Sequence, residues 1–180
     1  DAVLPALSGL GGKPFALFGH SLGALMAYEL TRRLRDRGGP MPGHLFLSGR
    51  RAPHVAALTP NLHHLPPSTF LAEVRKLGGT PNEVWEYPEL VEMMRPALQA
   101  DFQMSETWPK VTAPTAEHVI DVPMTVLGGT ADPMADAPSL EAWQAYARGG
   151  FKLQLMPGDH FYLQPQRDAV LRTIAERWPA

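Results

Sequence analysis

Three residues whose types suit nucleophilic chemistry stand far apart in the chain. They are Ser21 in Gly19-His20-Ser21-Leu22-Gly23, Asp132 in Gly128-Gly129-Thr130-Ala131-Asp132-Pro133, and His160 in Gly158-Asp159-His160. A serine hydroxyl is a poor nucleophile at neutral pH and needs a base to take its proton. Histidine is the usual base, and an acid behind it sets its tautomer and stabilises the imidazolium. Each of the three follows a short apolar run, and in doubly wound sheets the reacting groups collect just past the carboxyl ends of strands. The three also occur in the order serine, acid, histidine.

The serine lies in a G-x-S-x-G pentapeptide, after the apolar run Phe15-Ala16-Leu17-Phe18 and before an amphipathic one. That setting is a nucleophile elbow, a sharp strand-to-helix turn that lifts the hydroxyl out of the sheet; the serine-acid-histidine order is that of α/β-hydrolases. Gly19 and Gly23 are expected to leave room for the tight backbone and for close strand-helix packing. The oxyanion hole is expected to use the backbone N–H of Leu22, the residue after the nucleophile. Its second donor normally comes from a loop after an earlier strand, and no such strand precedes 14–18.

Other candidates rank lower. His20 adjoins Ser21, so its ring cannot easily turn back onto the hydroxyl and is expected to pack or bond locally. His63-His64 lie in a proline-flanked loop, where adjacent histidines are mostly solvated, and no carboxylates stand at metal-ligand spacing around them. His44, His54 and His118 read as structural or exposed. Among the acids, Asp159 touches His160 in sequence, but neighbours on a turn seldom orient one another's rings; Asp136 and Asp121 are looser alternatives to Asp132.

The elements that must position these residues follow an α/β rhythm. A helix ends at Gly11-Gly12, and a strand runs over 14–18. A helix over Leu22–Arg37 follows, with Leu22, Leu25, Met26, Leu30 and Leu34 inward. Arg32, Arg33, Arg35 and Arg37 crowd its last turns and read as a solvated end that suits the helix dipole. A second strand covers 44–48, and strand-helix-strand implies parallel pairing. From 53 to 114 no strand signal appears. Prolines separate short amphipathic pieces there, one with Phe70, Leu71, Val74 and Leu77, another with Leu90, Val91, Met94, Leu98 and Phe102. This is a helical insertion, expected to act as a lid with Met93, Met94 and Met104 as adaptable lining. The rhythm resumes with a strand at 123–127, a helix over Ser139–Arg148 (Leu140, Trp143, Tyr146 and Ala147 inward) and a strand at 151–156. A closing helix over Pro165–Trp178 buries Val170, Leu171, Ile174 and Trp178. The fold class is therefore α/β: a mostly parallel α/β-hydrolase sheet in one domain over 1–180, interrupted by the lid.

Composition narrows the partners. The 180 residues carry a formal net charge of -2, with 44% hydrophobic and 19% charged residues, which reads as a globular domain and argues against nucleic acid. There is no cysteine, hence no disulfide, thiolate metal site or cysteine nucleophile. No apolar run reaches the roughly 18 residues of a membrane span, and a cytoplasmic location is expected.

Several longer phrases resemble the type II thioesterases of polyketide and nonribosomal peptide synthesis, over essentially the whole chain. They are Pro14-Phe-Ala-Leu-Phe-Gly-His-Ser-Leu-Gly-Ala24, Ser48-Gly-Arg-Arg-Ala-Pro-His54, Leu77-Gly-Gly-Thr-Pro81, Pro96-Ala-Leu-Gln-Ala-Asp-Phe102, Gly128-Gly-Thr-Ala-Asp-Pro133 and Gly158-Asp-His-Phe-Tyr-Leu163. The resemblance implies Ser21 as nucleophile, His160 as base and Asp132 as acid, and it implies no metal or redox cofactor. It also implies hydrolysis of acyl thioesters on the phosphopantetheine arm of an acyl or peptidyl carrier protein, to clear misprimed or stalled groups. Gln99 departs from that family's pattern, standing where an arginine is more usual. The family's opening strands are also absent, about 60–80 residues at upward of 30 per βαβ unit. The chain is accordingly expected to be a fragment whose first strand exposes an apolar edge, with poor activity by itself. Arg50 and Arg51 are candidates for the arm's phosphate or an acidic carrier surface, weighed against a solvated loop. Other readings are a product-releasing thioesterase domain, a general carboxylesterase, and a remnant hydrolase that only binds a carrier protein.

Overall fold

A computed structural model describes residues 13–108 and 111–177. The expected helix before Gly11-Gly12 and the side chain of Trp178 lie outside the described residues. The chain divides into two compact units, one of Asp1–Ala56 with Val111–Ala180, the other Ala57–Lys110. The second is narrower at both ends than the proline spacing indicates.

In the first unit four parallel strands form one sheet in the order β1-β2-β3-β4: β1 (Ala16–His20), β2 (His44–Ser48), β3 (Met124–Gly129) and β4 (Phe151–Met156). β1 runs two residues later than expected and ends directly against Ser21. β2 and β3 are buried throughout, which suits their unbroken apolar runs, since parallel strands are covered on both faces. Among the described residues β1 borders β2 alone, and its Phe18 is 42% exposed.

Helix α1 (Leu22–Asp36) buries Ala24, Leu25, Ala27, Tyr28, Thr31 and Leu34, while Met26 is exposed. The inward face is therefore rotated from the leucine stripe. Tyr28 and Thr31 can lie inside because Tyr28 Oη donates to His118 O (2.7 Å) and Thr31 Oγ1 to Ala27 O (2.8 Å). Tyr28 packs edge-on against Trp143 and Tyr146, both fully buried, at the centre of the main core. The arginines near the end of α1 do more than meet solvent. Arg35 donates to Val119 O (2.7 Å) and Glu117 O (2.8 Å), and Arg32 to Glu117 O (3.3 Å), tying the helix to the 3-10 turn Ala116–His118.

After β3 the expected single helix is two pieces, α4 (Ala137–Glu141) and a 3-10 turn Ala142–Tyr146, which together still turn Leu140, Trp143 and Tyr146 inward. Asp136 caps α4 by accepting from Ser139 N. The last helix, α5 (Arg167–Arg177), buries Val170, but Leu171 is 52% exposed. No helix among the described residues is long and apolar enough to cross a membrane.

The second unit holds α2 (Pro67–Lys76) and α3 (Pro88–Glu106). Phe70 is fully buried and meets Phe102 edge-on at 5.4 Å. Of the expected α3 stripe only Val91 is buried, while Leu90, Met93 and Met104 are exposed, so these methionines do not line a core. Glu106 holds the loop before α2, accepting from Leu62 N, His63 N and the His63 ring. Gln99 donates to His63 O and Leu65 O, serving the same loop without a charge.

Candidate active site

At the end of β1 the backbone turns through Ser21 with φ 54° and ψ -117°; no other non-glycine residue among the described ones has positive φ. Such a conformation costs about 1–3 kcal/mol and persists only where its surroundings enforce it. Two of them do so here. Ser21 N donates to Ser48 O at the end of β2 (2.7 Å), and Gly19 faces the carbonyl of Gly23 so closely that a Cβ would overlap it. At Gly23 an added Cβ would meet nothing within 4 Å among the described residues. Leu22 is the first residue of α1, and a helix leaves its first N–H groups without intrahelical partners.

Asp132 follows β3 and His160 follows β4, both 5% exposed. Asp132 Oδ2 lies 2.7 Å from His160 Nδ1, and Oδ1 accepts from Met134 N at 2.8 Å. A carboxylate only accepts, so Nδ1 of His160 donates to it, and in the neutral ring the lone pair then lies on Nε2. That is the protonation state a general base needs.

His20 does not bond locally. Its Nδ1 is 2.8 Å from Ser48 Oγ, which is 2.6 Å from Tyr162 Oη, and its ring centroid lies 4.8 Å from that of His160. The elbow and the Asp132–His160 pair thus share one end of the sheet. Burial, then the neighbouring His160, push the His20 imidazole down to about 4, with Asp132 opposing. Burial likewise raises the Tyr162 phenol to about 12, the bond to Ser48 opposing. Gly49, at φ +59°, closes this corner: a Cβ would stand 2.7 Å from His20 Cε1 and 3.3 Å from His160 Cε1.

The rival residues are engaged elsewhere. Asp159 accepts from Phe161 N, Asp136 caps α4, and Asp121 pairs with Arg148. His44 bonds Thr125, His54 meets the Tyr146 hydroxyl, His63 meets Glu106, and His118 closes a capping box with Thr115. Arg50 is buried, with its carbonyl accepting from the Trp143 indole, and Arg51 donates to Val55 O, so neither forms the solvated loop weighed from sequence. Ser48, Gly49 and Tyr162 were not singled out as site residues by sequence reasoning. The strand-end position that singles out Asp132 and His160 also applies to Ser48, and was the available signal.

Comparison with known proteins bears on this geometry. A profile of the thioesterase domain family matches residues 2–177. The Brevibacillus parabrevis protein named linear gramicidin dehydrogenase LgrE is 38% identical over 97% of this chain and 64% of its own length. Thioesterase PikA5 of Streptomyces venezuelae is 37% identical over 89% of this chain and 56% of its own. The chain therefore spans less than two thirds of these curated relatives. Among solved structures, the RedJ thioesterase of the prodiginine biosynthetic pathway in Streptomyces coelicolor superposes with a TM-score of 0.87 at 36% identity, over 98% of this chain and 68% of that one.

Proposed function

The chain belongs to the thioesterase domain family, and from that premise we propose that it hydrolyses acyl thioesters on the phosphopantetheine arm of carrier proteins. The observation that carries this reading is the buried His160–Asp132 bond at the sheet end where Ser21 is held in a strained turn. In this mechanism His160 Nε2 takes the Ser21 proton as Oγ attacks the thioester carbonyl. The carbonyl π pair moves onto oxygen, and the Leu22 N–H stabilises that charge. Collapse breaks the carbon–sulfur bond, and His160 returns the proton to the departing thiolate. Water then attacks the acyl-Ser21 ester, His160 taking one proton and returning it to Oγ, so that acid and free enzyme result. Asp132 keeps the imidazolium oriented throughout.

The type II thioesterase YbtT of the yersiniabactin NRPS/PKS biosynthetic pathway, 30% identical over 98% of this chain, supports a role in polyketide or nonribosomal peptide synthesis. The dehydrogenase name of LgrE is not carried over, because an elbow serine backed by a buried acid-histidine pair is apparatus for acyl transfer, not hydride transfer. The test compares an acyl-pantetheine thioester with the matched oxygen ester. A clear thioester preference, lost in Ser21→Ala, is the expected result. Equal rates on both would favour a general carboxylesterase. A folded chain whose Ser21 takes no fluorophosphonate label would overturn the enzymatic reading.

A further inference from the structure

One buried side-chain polar atom among the described residues has no hydrogen-bond partner, and it is Nε2 of His20. Its neighbourhood allows the protons to be placed. Ser48 and Tyr162 are both fully buried, and Tyr162 Oη, Ser48 Oγ and His20 Nδ1 form one chain with links of 2.6 and 2.8 Å. If protons run from His20 toward Tyr162, the phenol hydrogen and the Nε2 lone pair are both left unpaired. If Ser48 accepts from both neighbours, its own hydrogen and the Nε2 lone pair are left; if protons run from Tyr162 to Ser48 to His20, Nε2–H is the one hydrogen left. Unmet buried polar groups are costly, so the direction from Tyr162 to His20 wins. His20 is then the Nε2–H tautomer, with Nδ1 occupied as an acceptor.

This ring lies against His160, and a Cβ added at Gly49 would crowd both. The ionisable groups facing His20 are His160, Asp132 and Tyr162. We propose that Tyr162 and Ser48 form a proton-ordered chain that holds His20 as a fixed, uncharged wall positioning His160. The proposal rests on the reading of His160 as the base. His20 is a positioning residue in it, acting on the reaction through His160. Its neutrality matters because a cation beside His160 would oppose the imidazolium that must form when Ser21 is deprotonated. The depressed imidazole of His20 agrees with that requirement.

The test uses the whole chain. Nitrogen-15 imidazole spectra from pH 5 to 8 are expected to show His20 protonated on Nε2, unprotonated on Nδ1 and not titrating. Ser48→Ala and Tyr162→Phe are expected to slow fluorophosphonate labelling of Ser21, by up to about 100-fold if His160 shifts by an ångström. The acid limb of the labelling rate should steepen, because a released His20 takes a proton alongside His160. Ser48→Thr, which keeps the hydroxyl, should restore the profile, and Ser48→Ala should add little to His20→Gln. A His20 protonated on Nδ1, or titrating near its ordinary value, overturns the proposal. So does labelling that falls only in proportion to folded protein while its pH profile stays unchanged. If the wild-type chain takes no label, the thioesterase reading fails instead. The tautomer of His20 and the shift of the His160 Nδ1–H resonance in Ser48→Ala still decide this one.

Discussion

Asp132 and His160 are paired in a manner that depends on which of them donates. In Asp132→Asn the amide that replaces the carboxylate can donate to Nδ1, which puts the imidazole in the wrong tautomer while preserving shape. The expected result is a rate about 10³–10⁴-fold lower with the unfolding midpoint close to wild type; paired kinetics and urea titration check it. Gly49 makes a different prediction. An added Cβ must both adopt φ +59° and intrude between two imidazoles, 2.7 Å from one and 3.3 Å from the other. Gly49→Ala should lose about 1–3 kcal/mol from backbone strain alone. It should also slow Ser21 labelling by more than the loss of folded chain explains; labelling at wild-type rate would show that the two rings move aside for the Cβ without cost to the site. Both effects belong to single residues, because the groups they disturb are packed with no room to yield.

At the scale of elements, β1 through β4 deliver Ser21, Gly49, Asp132 and His160 to the same end of the sheet, and parallel pairing is what makes that possible. α1 is held at its far end by Arg35, whose guanidinium spans the carbonyls of Val119 and Glu117. Arg35→Ala should therefore destabilise the first unit by about 1.5–3 kcal/mol, the range for hydrogen bonds made by charged groups. Arg35→Lys should recover little, since an ammonium point charge lacks the planar fork that reaches both oxygens. Urea unfolding of the three proteins measures this, and full recovery by lysine would mean that charge alone holds the turn. The arginine-rich helix end looked like a solvated terminus in sequence because nothing local reveals that the 116–119 turn, more than 80 residues away, lies beside it. The leucine stripe of α1 misplaced the buried face for a similar reason. Tyr28 and Thr31 become core residues only when His118 O and Ala27 O accept their hydroxyls.

For the whole molecule, pH dependence follows from His20. Its folded imidazole lies at about 4 against 6.5 unfolded, so between those values the unfolded chain binds more protons and stability rises with pH. Stability from this group is fully present well above pH 6.5 and is lost as the solution is acidified, the loss reaching on the order of 3 kcal/mol by pH 4. Buried His44, lowered chiefly by desolvation and secondarily by Arg177, acts in the same direction. Unfolding free energies from pH 7 to 4 should show this slope, and His20→Gln should flatten it; an unchanged slope in the variant would place the sensitivity elsewhere. The sequence by itself determined the α/β rhythm, the elbow and the order of Ser21, Asp132 and His160. Those signals are local: hydrophobic periodicity, turn glycines and the rule that reacting groups follow strands. Only the tertiary structure decided that Asp132, rather than Asp159, Asp136 or Asp121, meets His160, because a 2.7 Å bond across 28 residues depends on the pairing of β3 with β4. It also decided that Ser48, Gly49 and Tyr162 close around His20. No spacing along the chain encodes that corner, which exists only where the ends of β1, β2 and β4 converge.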